Sequence, residues 1–145
     1  MTTTSTVCKG AECNSPKSSS QSRDKGGQEM CGDEYYFEEG CYIIELHNTA
    51  DDPALSMARA RVEPGQTTRW HSLKDIEERY LILEGCGQVE IGEEAPREVR
   101  TSDTVVIPAG CRQRITNIGS ADLVFLAVCT PRFRIESYRD LDENS

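Results

Sequence analysis

Hydrophobic and polar positions change rhythm about thirty residues into the chain. Up to Met30 no period appears, apolar residues are sparse, and Ser and Thr supply ten of the thirty positions. Such a segment buries too little apolar surface to offset the entropy of ordering it, so residues 1–30 are expected to be a disordered tail. From Cys31 onward, runs rich in β-branched and aromatic residues alternate with Gly, Pro and Asp, the pattern of short strands and tight turns. CYIIELH (41–47) reads as a strand. SMARARVEP (56–64) alternates, with Met57, Arg59 and Arg61 on one face and Ala58, Ala60 and Val62 on the other. ERYLILEG (78–85) and GQVEIG (87–92) read as a hairpin around Gly85. EEAPRE is a polar loop. TVVIPAG (104–110), RQRITNIG (112–119) and DLVFLAVCTP (122–131) are three further strands, and RIESYRDLDENS closes the chain with a short turn of helix. Many strands and no long helix predict an all-β sandwich or barrel, with residues 31–145 as one domain.

Charge narrows the partners. The chain has 145 residues with 25 Asp+Glu against 16 Lys+Arg, a net charge of −9. Nucleic-acid backbones are bound by clustered Lys and Arg, so nucleic acid is not an expected partner. No apolar run reaches membrane-spanning length, and the N-terminus lacks the apolar core of a signal peptide. The expectation is a cytoplasmic protein with no membrane partner. The seven cysteines are odd in number, form no CxxC pair and follow no secretion signal, which argues against a disulfide framework or a zinc ribbon. Cys8 and Cys13 fall in the tail. Cys41 and Cys129 sit in apolar strands and read as small buried hydrophobes. Cys111, beside Arg112, is a candidate for a depressed thiol pKa.

Two spaced motifs carry a resemblance. The first runs Gly65, five residues, His71-Ser72-Leu73, four residues, Glu78, six residues, Gly85. The second runs Ser102, five residues, Pro108-Ala109-Gly110, two residues, Gln113, three residues, Asn117. Their spacings match the two cupin motifs, and the segment from about Ser56 to Phe133 resembles the cupin superfamily. Three positions depart from the family pattern: Leu73 replaces the second histidine of the first motif, Gln113 the histidine of the second, and Ser102 the opening glycine of the second.

The resemblance implies a cupin double-stranded β-helix, a jelly-roll-like barrel, commonly a homodimer. In metal-binding cupins the corresponding residues hold one divalent ion. Carried onto this chain, that leaves His71, Glu78 and Gln113 as metal ligands, one nitrogen and two oxygens, for an ion such as Mn, Fe, Ni or Zn; Leu73 cannot ligate. Strand alternation puts Tyr80 and Ile82 on the face of Glu78, and Ile115 and Asn117 on that of Gln113. The leading expectation is a small polar molecule bound in the barrel by His71, Glu78, Tyr80 and Gln113, with or without the metal. Two enzyme readings stand beside it. One is a metal-dependent oxygenase or isomerase using His71, Glu78 and Gln113. The other is a metal-free isomerase, epimerase or dehydratase with His71 and Tyr80 as catalytic groups.

Overall fold

The computed structural model describes residues 32–142; the tail expected over 1–30 lies outside them. Eleven strands and one 3-10 turn account for the regular structure among the described residues. One sheet has the order β1 (Tyr35–Phe37), β2 (Cys41–His47), β3 (Ser56–Val62), β10 (Leu123–Thr130), β5 (Glu77–Glu84), β8 (Thr104–Ile107). The other has the order β11 (Tyr138–Asp140), β4 (His71–Leu73), β9 (Gln113–Asn117), β6 (Cys86–Ile91), β7 (Arg97–Arg100). Neighbouring strands in both sheets pair antiparallel. No helix among the described residues is long and apolar enough to cross a membrane.

Strand alternation holds where the sequence is most regular. Ala60 and Val62 are buried while Arg61 turns out to the Glu34 and Asp122 carboxylates. On β5, Glu78, Tyr80 and Ile82 are buried, and Leu81 and Leu83 face outward, more than a third exposed. On β9, Gln113, Ile115 and Asn117 are buried, and Arg112 and Arg114 reach outward over the Trp70 ring, each about 4.3 Å or less from its centroid. The inward residues of both sheets form one core around Tyr80, Ile82, Val105, Ile107, Ile115 and Phe125. Leu73 belongs to a smaller cluster with Ile76 and Cys129.

Four strands escape the sequence pattern. β1, β4 and β11 have three residues each, too few to show a period, and β7 occupies part of what reads as a polar loop. The expected helical turn near the end is the 3-10 segment Ile135–Ser137. Cys86, at the start of β6, is disulfide-bonded, a bond that the odd cysteine count did not lead to.

The motif residues outside the pocket are backbone devices. Gly65, Gly85 and Gly110 all adopt positive φ, and so does Ser102, at 81°. Asn117 ties three segments together. Its amide nitrogen donates to the Val62 and Ala121 carbonyls, and its carbonyl oxygen accepts from the Gly119 N–H.

Candidate functional site

A cavity of about 80 Å³ lies on the inner face of β2, β3, β5 and β10, all strands of the first sheet. Its walls are apolar (Ala58, Ala60, Phe125, Ala127), and Tyr35 and Phe37 of β1 border it. Tyr35 is 45% exposed, so this border is on the solvent side. The polar groups lining it include Glu39, Glu78 and Tyr80.

Glu78 and Tyr80 arrive by strand alternation, and Gln113 meets them from the facing sheet. The Tyr80 hydroxyl donates to Gln113 Oε1 at 2.6 Å, and Gln113 Nε2 donates to Glu78 Oε1 at 3.0 Å. The Cys129 thiol lies 3.8 Å from Glu78 Oε2. Tyr80 also packs on Phe125 with ring centroids 4.3 Å apart. Burial drives the Glu78 carboxyl up to about 7, with a contribution from the nearby Glu39 carboxyl that His71 and the Gln113 hydrogen bond oppose. Burial also raises the Tyr80 phenol well above its ordinary range, so Tyr80 stays a proton donor in this chain.

His71 is 2% exposed and does not line the cavity. Its Nδ1 lies 2.7 Å from the Arg69 carbonyl, which can only accept, so Nδ1 carries the proton and the neutral ring presents its Nε2 lone pair. That Nε2 is 3.6 Å from Glu39 Oε1. The ring stacks on Tyr138, and burial lowers its pKa. Glu39 therefore stands between His71 and the cavity. Its own side chain is 14% exposed, and burial pushes its carboxyl up to about 8.

Three of the four expected site residues, Glu78, Tyr80 and Gln113, thus share one hydrogen-bonded chain. The fourth, His71, does not line the cavity; it lies against Glu39 and close enough to Glu78 to influence its charge. Neither cupin motif contains Glu39. It sits in a turn closed by the Gly40 N–H to the Phe37 carbonyl, with Gly40 at a φ of 108°, and Glu-Gly before an apolar strand reads simply as a turn. The Cys41 thiol lies 3.8 Å from Glu39 Oε2 and is buried in the core, and burial raises its pKa.

The donors fit a divalent metal poorly. Gln113 has its oxygen on the Tyr80 hydroxyl and its nitrogen on Glu78, so two hydrogen bonds already orient the amide and one of the two carbonyl lone pairs is taken. Leu73 is 3% exposed and packs with Ile76 and Cys129 where a second imidazole would stand. Among the described residues no group of three or more His, Cys, Asp or Glu could hold a metal ion.

A family model described as "Cupin domain" matches residues 58–129. The chain belongs to the cupin superfamily. A cupin-length relative, the "Uncharacterized protein MJ1618" of Methanocaldococcus jannaschii, is 34% identical over 110 residues, covering 74% of this chain and 87% of that protein. Among solved cupin structures, the Streptomyces nucleoside dehydratase Pac13 superposes with a TM-score of 0.66 at 16% identity, covering 83% of this chain and 92% of that one. The Lactobacillus farciminis oxalate decarboxylase, solved as a formate complex, gives 0.64 at 22% identity over 75% of this chain and 33% of that longer one. At these identities the two structures establish the cupin fold alone.

Proposed function

We propose that this cupin binds a small polar molecule in the barrel cavity, held by Glu39, Glu78 and Tyr80, with no resident metal. One observation carries the reading: an apolar cavity with two buried carboxyls and a phenol converging on it. At about 80 Å³ it lies well below the roughly 300 Å³ and more of drug-sized pockets, so the ligand has few non-hydrogen atoms. Gln113 positions rather than binds, because it fixes the Tyr80 hydroxyl and the Glu78 carboxyl from behind. NMR titration of the full chain with 2-propanol, acetone and acetamide is expected to shift the amides of Glu78, Tyr80 and Ala127. No shift at saturating concentrations of small polar probes, neutral and charged alike, overturns the reading. Elemental analysis of protein purified without chelator or polyhistidine tag tests the metal part. The expectation is no stoichiometric Mn, Fe, Ni or Zn; metal that is present in the wild type and lost in both His71→Ala and Gln113→Ala would restore the set His71, Glu78 and Gln113.

A second reading, metal-free acid–base catalysis, is favoured by the His71–Glu39 contact. A neutral imidazole with its lone pair toward a cavity-lining carboxyl of raised pKa can relay a proton between the cavity and Nε2. In that reading Glu39 touches the substrate and His71 acts through it, while the Tyr80 hydroxyl is committed to Gln113. The homodimer is proposed on the outer face of the first sheet, where Leu81, Leu83 and Val106 are exposed; sedimentation equilibrium checks it.

A further inference from the structure

The charge lining the cavity is one-sided. Glu39 and Glu78 lie in its wall and the exposed Glu45 at its border, yet among the described residues no lysine, arginine or histidine lines it. Elsewhere on this chain exposed acids find cations: Glu34 and Asp122 take Arg61, Asp140 takes Arg69, and Glu90 takes Arg114. Inside the cavity the partners of the acids are neutral. Glu78 has the Gln113 amide and the Cys129 thiol, and Glu39 has the Cys41 thiol and a buried imidazole. A buried carboxylate without a cation is costly, and two in one cavity repel each other. The remaining wall includes the rings of Phe37, Tyr80, Phe125 and Phe133, whose faces attract cations. Tyr35 of β1 donates its hydroxyl to Glu45 at the border, which keeps that acid beside the entrance.

We infer that the ligand of this cavity is a small organic cation, an alkylammonium group that enters past Glu45 and seats between Glu39 and Glu78 against the aromatic wall. This rests on the cavity being the binding site, as proposed above, and adds the class of ligand. Three acids and no base also set the specificity. Where these acids are ionised, a carboxylate of the same size meets only like charge, and a neutral molecule leaves them uncompensated.

The test compares three probes of similar size on the full chain by NMR titration at pH 8: isopropylammonium, 2-propanol and acetate. Isopropylammonium is expected to bind at least tenfold more tightly than 2-propanol, with acetate weakest. The preference should fall severalfold in Glu39→Gln and in Glu78→Gln. In Glu45→Gln, at the exposed border of the cavity, affinity for the cation should fall by more than affinity for 2-propanol. Equal affinities for cation and alcohol, or tightest binding by acetate, would overturn the inference and leave the cavity as a binding site. No response to any of the three would remove the cavity reading as well.

Discussion

The Tyr80 hydroxyl shows how much one atom can hold in this barrel. It donates to Gln113, whose amide in turn holds Glu78, so the order of the cavity wall depends on a 2.6 Å hydrogen bond made out of reach of water. Tyr80→Phe keeps the ring on Phe125 but leaves Gln113 Oε1 buried without a donor. The expected cost is about 1–3 kcal/mol in chemical denaturation, and binding of any cavity probe should weaken with it. Asn117 predicts a larger effect. Asn117→Ala strands the Val62 and Ala121 carbonyls and the Gly119 N–H together, and should cost about 2–4 kcal/mol. Ser102 predicts the opposite sign. At a φ of 81° it sits in backbone territory that suits glycine, the residue the cupin pattern has there. Its backbone bonds, such as its N–H to the Ile82 carbonyl, survive substitution, so Ser102→Gly should stabilise by about 0.5–1 kcal/mol.

At the scale of elements, β5 and β6 do not form the expected hairpin: they belong to different sheets, and the chain crosses from one to the other at Gly85. A Cβ there would lie 2.6 Å from the Asp122 carbonyl oxygen, at a φ of 89°. Gly85→Ala must therefore move backbone at the start of β10 as well as strain its own. A loss of about 2–4 kcal/mol is expected, read as a drop in the denaturant midpoint. These elements also show what a sequence can reveal. β3 alternates, so Ala60 and Val62 share one face by period two alone; on β5 and β9 the motif resemblance sets Glu78 and Gln113 inward, and alternation then puts Tyr80 and Asn117 beside them. β1, β4 and β11 are too short to carry a period; β1 pairs with the longer β2 and β4 with β9, while among the described residues β11 pairs with β4 alone. The site divides in the same way. Glu78, Tyr80 and Gln113 are legible because they ride on regular strands. Glu39 is not, because its position depends on a turn whose tertiary placement brings a carboxyl against His71, 32 residues later in the chain. His71, expected from its motif to line the pocket, is buried but does not line the cavity, and this contact with Glu39 is what stands between them.

For the whole molecule, the unusual quantity is protons held in the interior. Glu78 titrates at about 7 and Glu39 at about 8 in the folded chain, against ordinary values near 4.5, and burial is the main cause for both. Between pH 4.5 and these values the folded protein keeps protons that the unfolded chain has released. The stability linked to them is fully present below pH 4.5 and is lost as pH rises through about 7 and 8. His71 acts in the opposite sense. Its folded pKa lies below 6.5, so its contribution is present above that value and is lost as pH falls through it. Above pH 6.5 the histidine contributes little slope and the two carboxyls dominate. Burial keeps the Cys41 and Cys129 thiols protonated, and their linkage adds a loss of the same sign at the alkaline end. Urea denaturation at pH 6.5, 7.25 and 8 should therefore show stability falling steadily, while most acidic proteins change little over this range. Glu78→Gln keeps an amide in the same place, removes one of the two titrations, and should flatten the profile by roughly half. A wild-type profile that is level or rises over this window would mean that the two carboxyls ionise at ordinary values, and so that water reaches them inside the barrel.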